Sequence, residues 1–111
     1  MIKGIGIDIE SVKRFEESYK NKNFILSIFT EKEIKYCEKK NEPYISLVGK
    51  FCAKEAFIKA SDKSFDFKNI EIDSSSGKPK IYLHGKKCKN IYCSIAHTKE
   101  YATAIIIIGD K

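Results

Sequence analysis

The period of the apolar residues changes twice along this chain, and that change limits the folds open to it. Residues 2–9 (IKGIGIDI) alternate, with Ile5, Ile7 and Ile9 on one side and Gly4, Gly6 and Asp8 on the other, which is the pattern of a strand. Helical spacing then takes over. Val12, Phe15 and Tyr19 mark a helix over Ser11–Lys20 that Asn21 can end, and Thr30-Glu31-Lys32-Glu33 has the form of a capping box opening a helix to about Lys40. Pro43 suits the first turn of a longer helix to about Ala60. After a polar stretch the β pattern returns. Ile70–Asp73 and Lys80–Leu83 flank the turn-rich SSSGKP, and Ile91–Ile95 and Tyr101–Ile108 follow. Strand, three helices and four strands predict an α+β fold, with helices packed on one side of a largely antiparallel sheet.

With 111 residues there is chain for one core, so a single domain spanning 1–111 is expected. A second independent domain and a large self-contained cleft are excluded. The longest apolar run, Ala104–Ile108, falls far short of the roughly 18 residues that a membrane span needs. No signal or transit segment is evident at the N-terminus, and the expected location is cytoplasmic. Cys37, Cys52, Cys88 and Cys93 form no C-x-x-C pair and read as small, partly buried thiols. Lysine and arginine number 21 against 15 acidic residues, a net charge of +6 that calls for an anionic partner.

The long helix carries the most chemistry. Counting from Tyr44 at about 100° per residue, Leu47, Val48, Phe51, Cys52 and Ile58 share an apolar stripe, and Glu55 falls at about 20°, inside it. A carboxylate in that position must be neutralised, paired or bound to a cation. Lys59, one turn on, is one candidate partner. Asp8 offers the other reading, since it shares a strand face with two glycines that leave room for a backbone or a ligand. Alone it would serve as a helix N-cap. With Glu55 it supplies two hard oxygens on rigid elements, a set that suits Mg²⁺ bridging to substrate phosphates. Lys50, Lys54 and Lys59 could then face a pyrophosphate, or else form a solvated helix face. His97 is either a turn histidine or a phosphate or ribose contact.

Several motifs are absent. GIGIDI lacks the third glycine of a dinucleotide fingerprint and lies within a strand, and there is no phosphate-loop signature. Ser94 and His97 lack an identifiable third member of a catalytic triad.

Taken together, five segments resemble the small homotrimeric 4′-phosphopantetheinyl transferases, the holo-[acyl-carrier-protein] synthases. They are GIGIDIESVKR (4–14), FTEKE (29–33), GKFCAKEAFIKA (49–60), GKP (77–79) and SIAHTKEYATA (94–104). The resemblance implies the 4′-phosphopantetheinyl transferase fold and the family's activity, Mg²⁺-dependent transfer of the phosphopantetheine arm of coenzyme A to a serine of apo acyl carrier protein in fatty acid biosynthesis. It implies Asp8 and Glu55 as metal ligands and Lys59 beside the pyrophosphate, these three forming the catalytic set. Lys50, Lys54, Gly77, Pro79 and His97 are the further expected coenzyme contacts. Lys13 and Arg14 on the first helix are expected to meet the carrier protein, and the active sites are expected between subunits of a trimer.

The sequence also departs from the family pattern. Lys50 stands where an arginine is common, keeping the charge without the bidentate fork. Ala96 replaces a frequent hydroxyl residue, and SDKSFDFKN replaces a glycine-rich loop. Two rival readings are a noncatalytic coenzyme-binding protein and a nucleic-acid-binding domain. The latter is disfavoured because Phe15, Tyr19, Tyr44 and Phe51 lie on expected core stripes rather than among exposed basic residues.

Overall fold

The computed structural model describes residues 1–110; Lys111, the last residue of the expected domain, lies outside the described residues. Strand β1 (Ile2–Ser11) leads into helices α1 (Val12–Tyr19), α2 (Lys22–Ile28), α3 (Glu31–Glu38) and α4 (Pro43–Ser61). A 3-10 turn at Phe67–Asn69 precedes β2 (Ile70–Asp73), β3 (Lys80–Leu83), β4 (Lys86–Lys87), β5 (Ile91–His97) and β6 (Tyr101–Gly109). The strands form two antiparallel sheets of order β1-β6-β5 and β2-β3-β4. The expected α+β class therefore holds, with its antiparallel strands divided between two sheets.

Helix α2 was not anticipated. Asn21, read as the end of α1, also opens α2, its side-chain oxygen accepting from Phe24 N at 3.2 Å. The capping box at α3 is present as expected: Thr30 N donates to Glu33 Oε1 at 2.9 Å, and Glu33 N to Thr30 Oγ1 at 3.2 Å. Ser11, not Asp8, caps α1 by accepting from Arg14 N at 3.2 Å.

Helix α4 is the centre of the molecule. The single apolar stripe expected for it gives way to burial nearly all round, because the helix lies between the first sheet on one side and α1, α3 and β2 on the others. Small residues let it lie close to the sheet. A Cβ at Gly4 would overlap the carbonyl oxygen of Ala60, and one at Gly6 that of Ala56. Ala102 and Ala104 of β6 are also fully or almost fully buried.

The glycine face of β1 thus packs on α4, and its isoleucine face points outward. Ile5, Ile7 and Ile9 are 61%, 62% and 64% exposed, and Tyr92 on β5 and Tyr101 on β6 share that outer face by register.

Candidate active site

Asp8 and Glu10 are two apart on β1, so both project toward α4, where Glu55 meets them. One carboxylate oxygen from each of the three lies within 4.8 Å of the others. Asp8 is 8% exposed; its Oδ1 takes the Lys59 ammonium at 3.3 Å, and its buried Oδ2 has no hydrogen-bond partner. Glu10 is pushed up to about 7, first by burial and then by the hydrogen-bonding proximity of Asp8 and the charges of Asp8 and Glu55, against Arg14. Burial and the Asp8 charge also push Glu55 up, opposed by Lys59. Beneath the cluster, burial together with Asp8 and Glu10 pushes the Cys52 thiol up and keeps it neutral.

Crowded carboxylates with an orphaned, desolvated oxygen lack positive charge. Hard oxygens in this arrangement fit a divalent cation such as Mg²⁺. Lys59 is 55% exposed at its side chain and also donates to Ile7 O at 3.1 Å, so it stands at the mouth of the cluster. The alternative Glu55–Lys59 ion pair does not form; Lys59 pairs with Asp8 instead.

A second site lies on the other flank of α4. A cavity of about 390 Å³ is lined by Tyr36, Lys40, Lys50, Ser74, Pro79 and His97, among others. Lys50, 2% exposed, sends its ammonium to Ile72 O at 2.8 Å and Ser74 Oγ at 3.4 Å, over the Tyr36 ring at 4.6 Å. Pro79 also borders a larger open hollow of about 800 Å³ that includes Lys78, Lys80, Lys87 and Lys89. The two sites belong to different faces of one helix. Glu55 and Lys59 are about 40° apart around α4, whereas Lys50 is about 140° from Glu55. By register His97 and Glu10 both neighbour Ala102, on opposite sides of it.

The structure thus brings Asp8, Glu55 and Lys59 together and, separately, Lys50, Pro79 and His97. Gly77 sits apart at the tip of the β2–β3 turn with φ 107°. Lys13 and Arg14 are exposed on α1. The expectation that Lys54 faces a pyrophosphate is corrected. Its ammonium is fully buried and donates to Ile28 O at 2.7 Å, Glu33 Oε1 at 2.7 Å and Phe67 O at 3.0 Å, which accounts for all three of its protons. The solvated-face alternative fails for Lys50 as well as Lys54, since both point into the interior. Ser94 and His97 lie on opposite faces of the sheet, which excludes a nucleophilic pair. Glu10 went unrecognised in the sequence, although its two-residue spacing from Asp8 on a strand was the available signal.

This fold has known counterparts. The chain belongs to the 4′-phosphopantetheinyl transferase superfamily, whose profile matches residues 4–106. Within it, the relatives are holo-[acyl-carrier-protein] synthases, and the chain is an enzyme of this kind. The synthase of Thermodesulfovibrio yellowstonii is 39% identical, over 97% of this chain and 99% of its own. That of Listeria monocytogenes is 43% identical, over 97% and 98%. The Bacillus anthracis synthase, crystallised in complex with CoA (3′,5′-ADP), superposes with a TM-score of 0.82 at 32% identity and covers 96% of each chain.

Proposed function

We propose that this enzyme transfers 4′-phosphopantetheine from coenzyme A to a serine of apo acyl carrier protein, in an Mg²⁺-dependent reaction that serves fatty acid biosynthesis in the cytoplasm. The serine oxygen bonds to the phosphorus that carries the pantetheine arm. The bond from that phosphorus to the bridging oxygen breaks, adenosine 3′,5′-bisphosphate leaves with the electron pair, and the serine proton passes to solvent. The observation that carries this reading is the buried Asp8 carboxylate, one oxygen of it unpartnered, clustered with Glu55 and Glu10, with Lys59 at the opening.

Asp8 and Glu55 would hold Mg²⁺, with Glu10 as a third oxygen. The bound cation would supply charge neutralisation at the pyrophosphate. Lys59 adds a second positive charge there, and its ties to Ile7 O and Asp8 fix it before substrate arrives. Little covalent help from side chains is needed; orientation and neutralisation carry phosphoryl-type transfer. Lys50 and His97, with Lys40 beside them, would receive the 3′-phosphate. Lys13 and Arg14 would meet the acidic carrier protein.

Helix α4 stands between the carboxylates and the basic cavity, so a coenzyme reaching both fits best across two copies. The outward isoleucine face of the first sheet supports such an assembly, because an apolar face this continuous is normally covered. We take the assembly to be a homotrimer with intersubunit active sites.

The test is incubation with coenzyme A, Mg²⁺ and apo carrier protein, followed by mass measurement of the carrier. Transfer adds a phosphopantetheine arm, and an unmodified carrier where a known synthase succeeds would sink the reading. Asp8→Ala and Glu55→Gln should each abolish turnover with the fold intact; near-normal rates for either would remove it from the metal site.

A further inference from the structure

The Lys54–Glu33 ion pair has side chains 0% and 1% exposed and lies outside both sites described above. Both carboxylate oxygens of Glu33 face donors. Oε1 accepts from Thr30 N at 2.9 Å and Lys54 Nζ at 2.7 Å, and Oε2 accepts from Ile72 N at 2.7 Å. Ile72 belongs to β2, an edge strand of the second sheet. The carbonyl of the same residue accepts from Lys50 Nζ at 2.8 Å. The outer edge of β2 is therefore held by side chains: Glu33 takes its N–H, and Lys50 is tethered to its C=O. Since N–H and C=O of one strand residue point the same way, what fixes one fixes the other. Lys50 is the buried ammonium of the basic cavity.

We propose that Glu33 is a positioning residue for coenzyme recognition, setting through Ile72 where the Lys50 ammonium stands. The inference rests on the reading that Lys50 contacts the 3′-phosphate. Glu33→Gln tests it with little change of volume. An amide there sets donor against donor whichever way it turns, at Ile72 N or at Thr30 N and Lys54, so the edge of β2 must shift.

Competitive inhibition by adenosine 3′,5′-bisphosphate and by adenosine 5′-monophosphate isolates the 3′-phosphate, the one group by which they differ. In the intact enzyme the bisphosphate should inhibit at lower concentration. Glu33→Gln should narrow the ratio of the two inhibition constants by about five- to tenfold, the scale of one misplaced charge-assisted contact. In a Lys50→Met background it should narrow the ratio no further. Ile25→Val, a core truncation on α2, controls for lost stability and should leave the ratio unchanged. Should Glu33→Gln fail to accumulate folded, Glu33→Gln/Lys54→Met removes both charges at similar volume and faces the same comparison. A folded variant that keeps the wild-type ratio, or a full additional loss on top of Lys50→Met, overturns the inference alone. Wild-type enzyme indifferent to the 3′-phosphate overturns the underlying reading and the inference with it.

Discussion

Gly6→Ala should disable the carboxylate cluster from outside it. A Cβ at position 6 overlaps Ala56 O and stands 2.8 Å from Ala60 N, and both are backbone atoms that no rotamer change can move. Relief requires α4 to withdraw from β1 by about 1 Å, the scale of ordinary van der Waals clearance. Overpacking of this kind costs about 1–3 kcal/mol, which at this chain length lowers Tm by about 4–20 °C. Ala56 is the neighbour of Glu55, and Gly6 lies two residues from Asp8, so the same withdrawal parts the two carboxylates. A misplacement of about 1 Å at a reacting centre costs about 10²-fold in rate. Gly4→Ala is the control. It overlaps Ala60 O in the same way, beside Lys59 rather than Glu55, and lies about 7 Å further than Gly6 along β1 from Asp8, so it leaves the spacing of the two carboxylates and hence the Mg²⁺ requirement unchanged. Carrier modification followed by mass, at several Mg²⁺ concentrations, should show similar stability loss in both variants but a much larger rate loss and Mg²⁺ requirement for Gly6→Ala. Equal kinetic damage from the two, or an unimpaired Gly6→Ala, would refute the link between packing of α4 and geometry of the cluster.

The metal-free enzyme should lose stability as pH rises. Glu10, raised from 4.5 to about 7, binds a proton that the unfolded chain has released, so its contribution is full below about 4.5 and gone above about 7. Solvent screening at this part-exposed carboxyl keeps the loss well below about 3 kcal/mol; Tm in chelator should fall across this window, and Mg²⁺ or Glu10→Gln should flatten the slope. Ile7→Lys, placing a charge in the middle of the outward sheet face, should yield monomers in sedimentation and lower activity with little change in Tm of the monomer; a retained assembly would move the interface elsewhere. Lys13→Glu/Arg14→Glu should raise KM for carrier protein by about tenfold, less at high salt, while KM for coenzyme A stays put.

The order of elements was legible because periodicity is local, and Thr30-Glu33 and Pro43 announced their helices directly. Helix α2 was harder to see: seven residues give barely two turns of pattern, and Asn21 serves as the stop of one helix and the start of the next. The pairing of Asp8 with Glu55 was readable from two rigid segments that each needed a partner. The burial of Lys50 and Lys54 was not legible, for the opposite reason. Their acceptors lie elsewhere in the chain, at Ile72 O, Ile28 O, Phe67 O and Glu33, and nothing in a helical wheel shows that a lysine will find a carbonyl more than ten residues away.

The placement of the carboxylates and the basic cavity on opposite flanks of α4 has a genetic consequence. In a ring where each coenzyme spans two copies, one chain supplies the acids and its neighbour the cations. An Asp8→Ala chain and a Lys50→Met/His97→Ala chain, each inactive alone, would then rescue one another on mixing. About one junction in four of an equal hybrid population unites the intact half of each, so two dead enzymes should together recover roughly a quarter of wild-type sites. A copy damaged in one half would disable the site it shares with one neighbour and leave the site on its other flank intact, so that a defective allele acts beyond its own gene product.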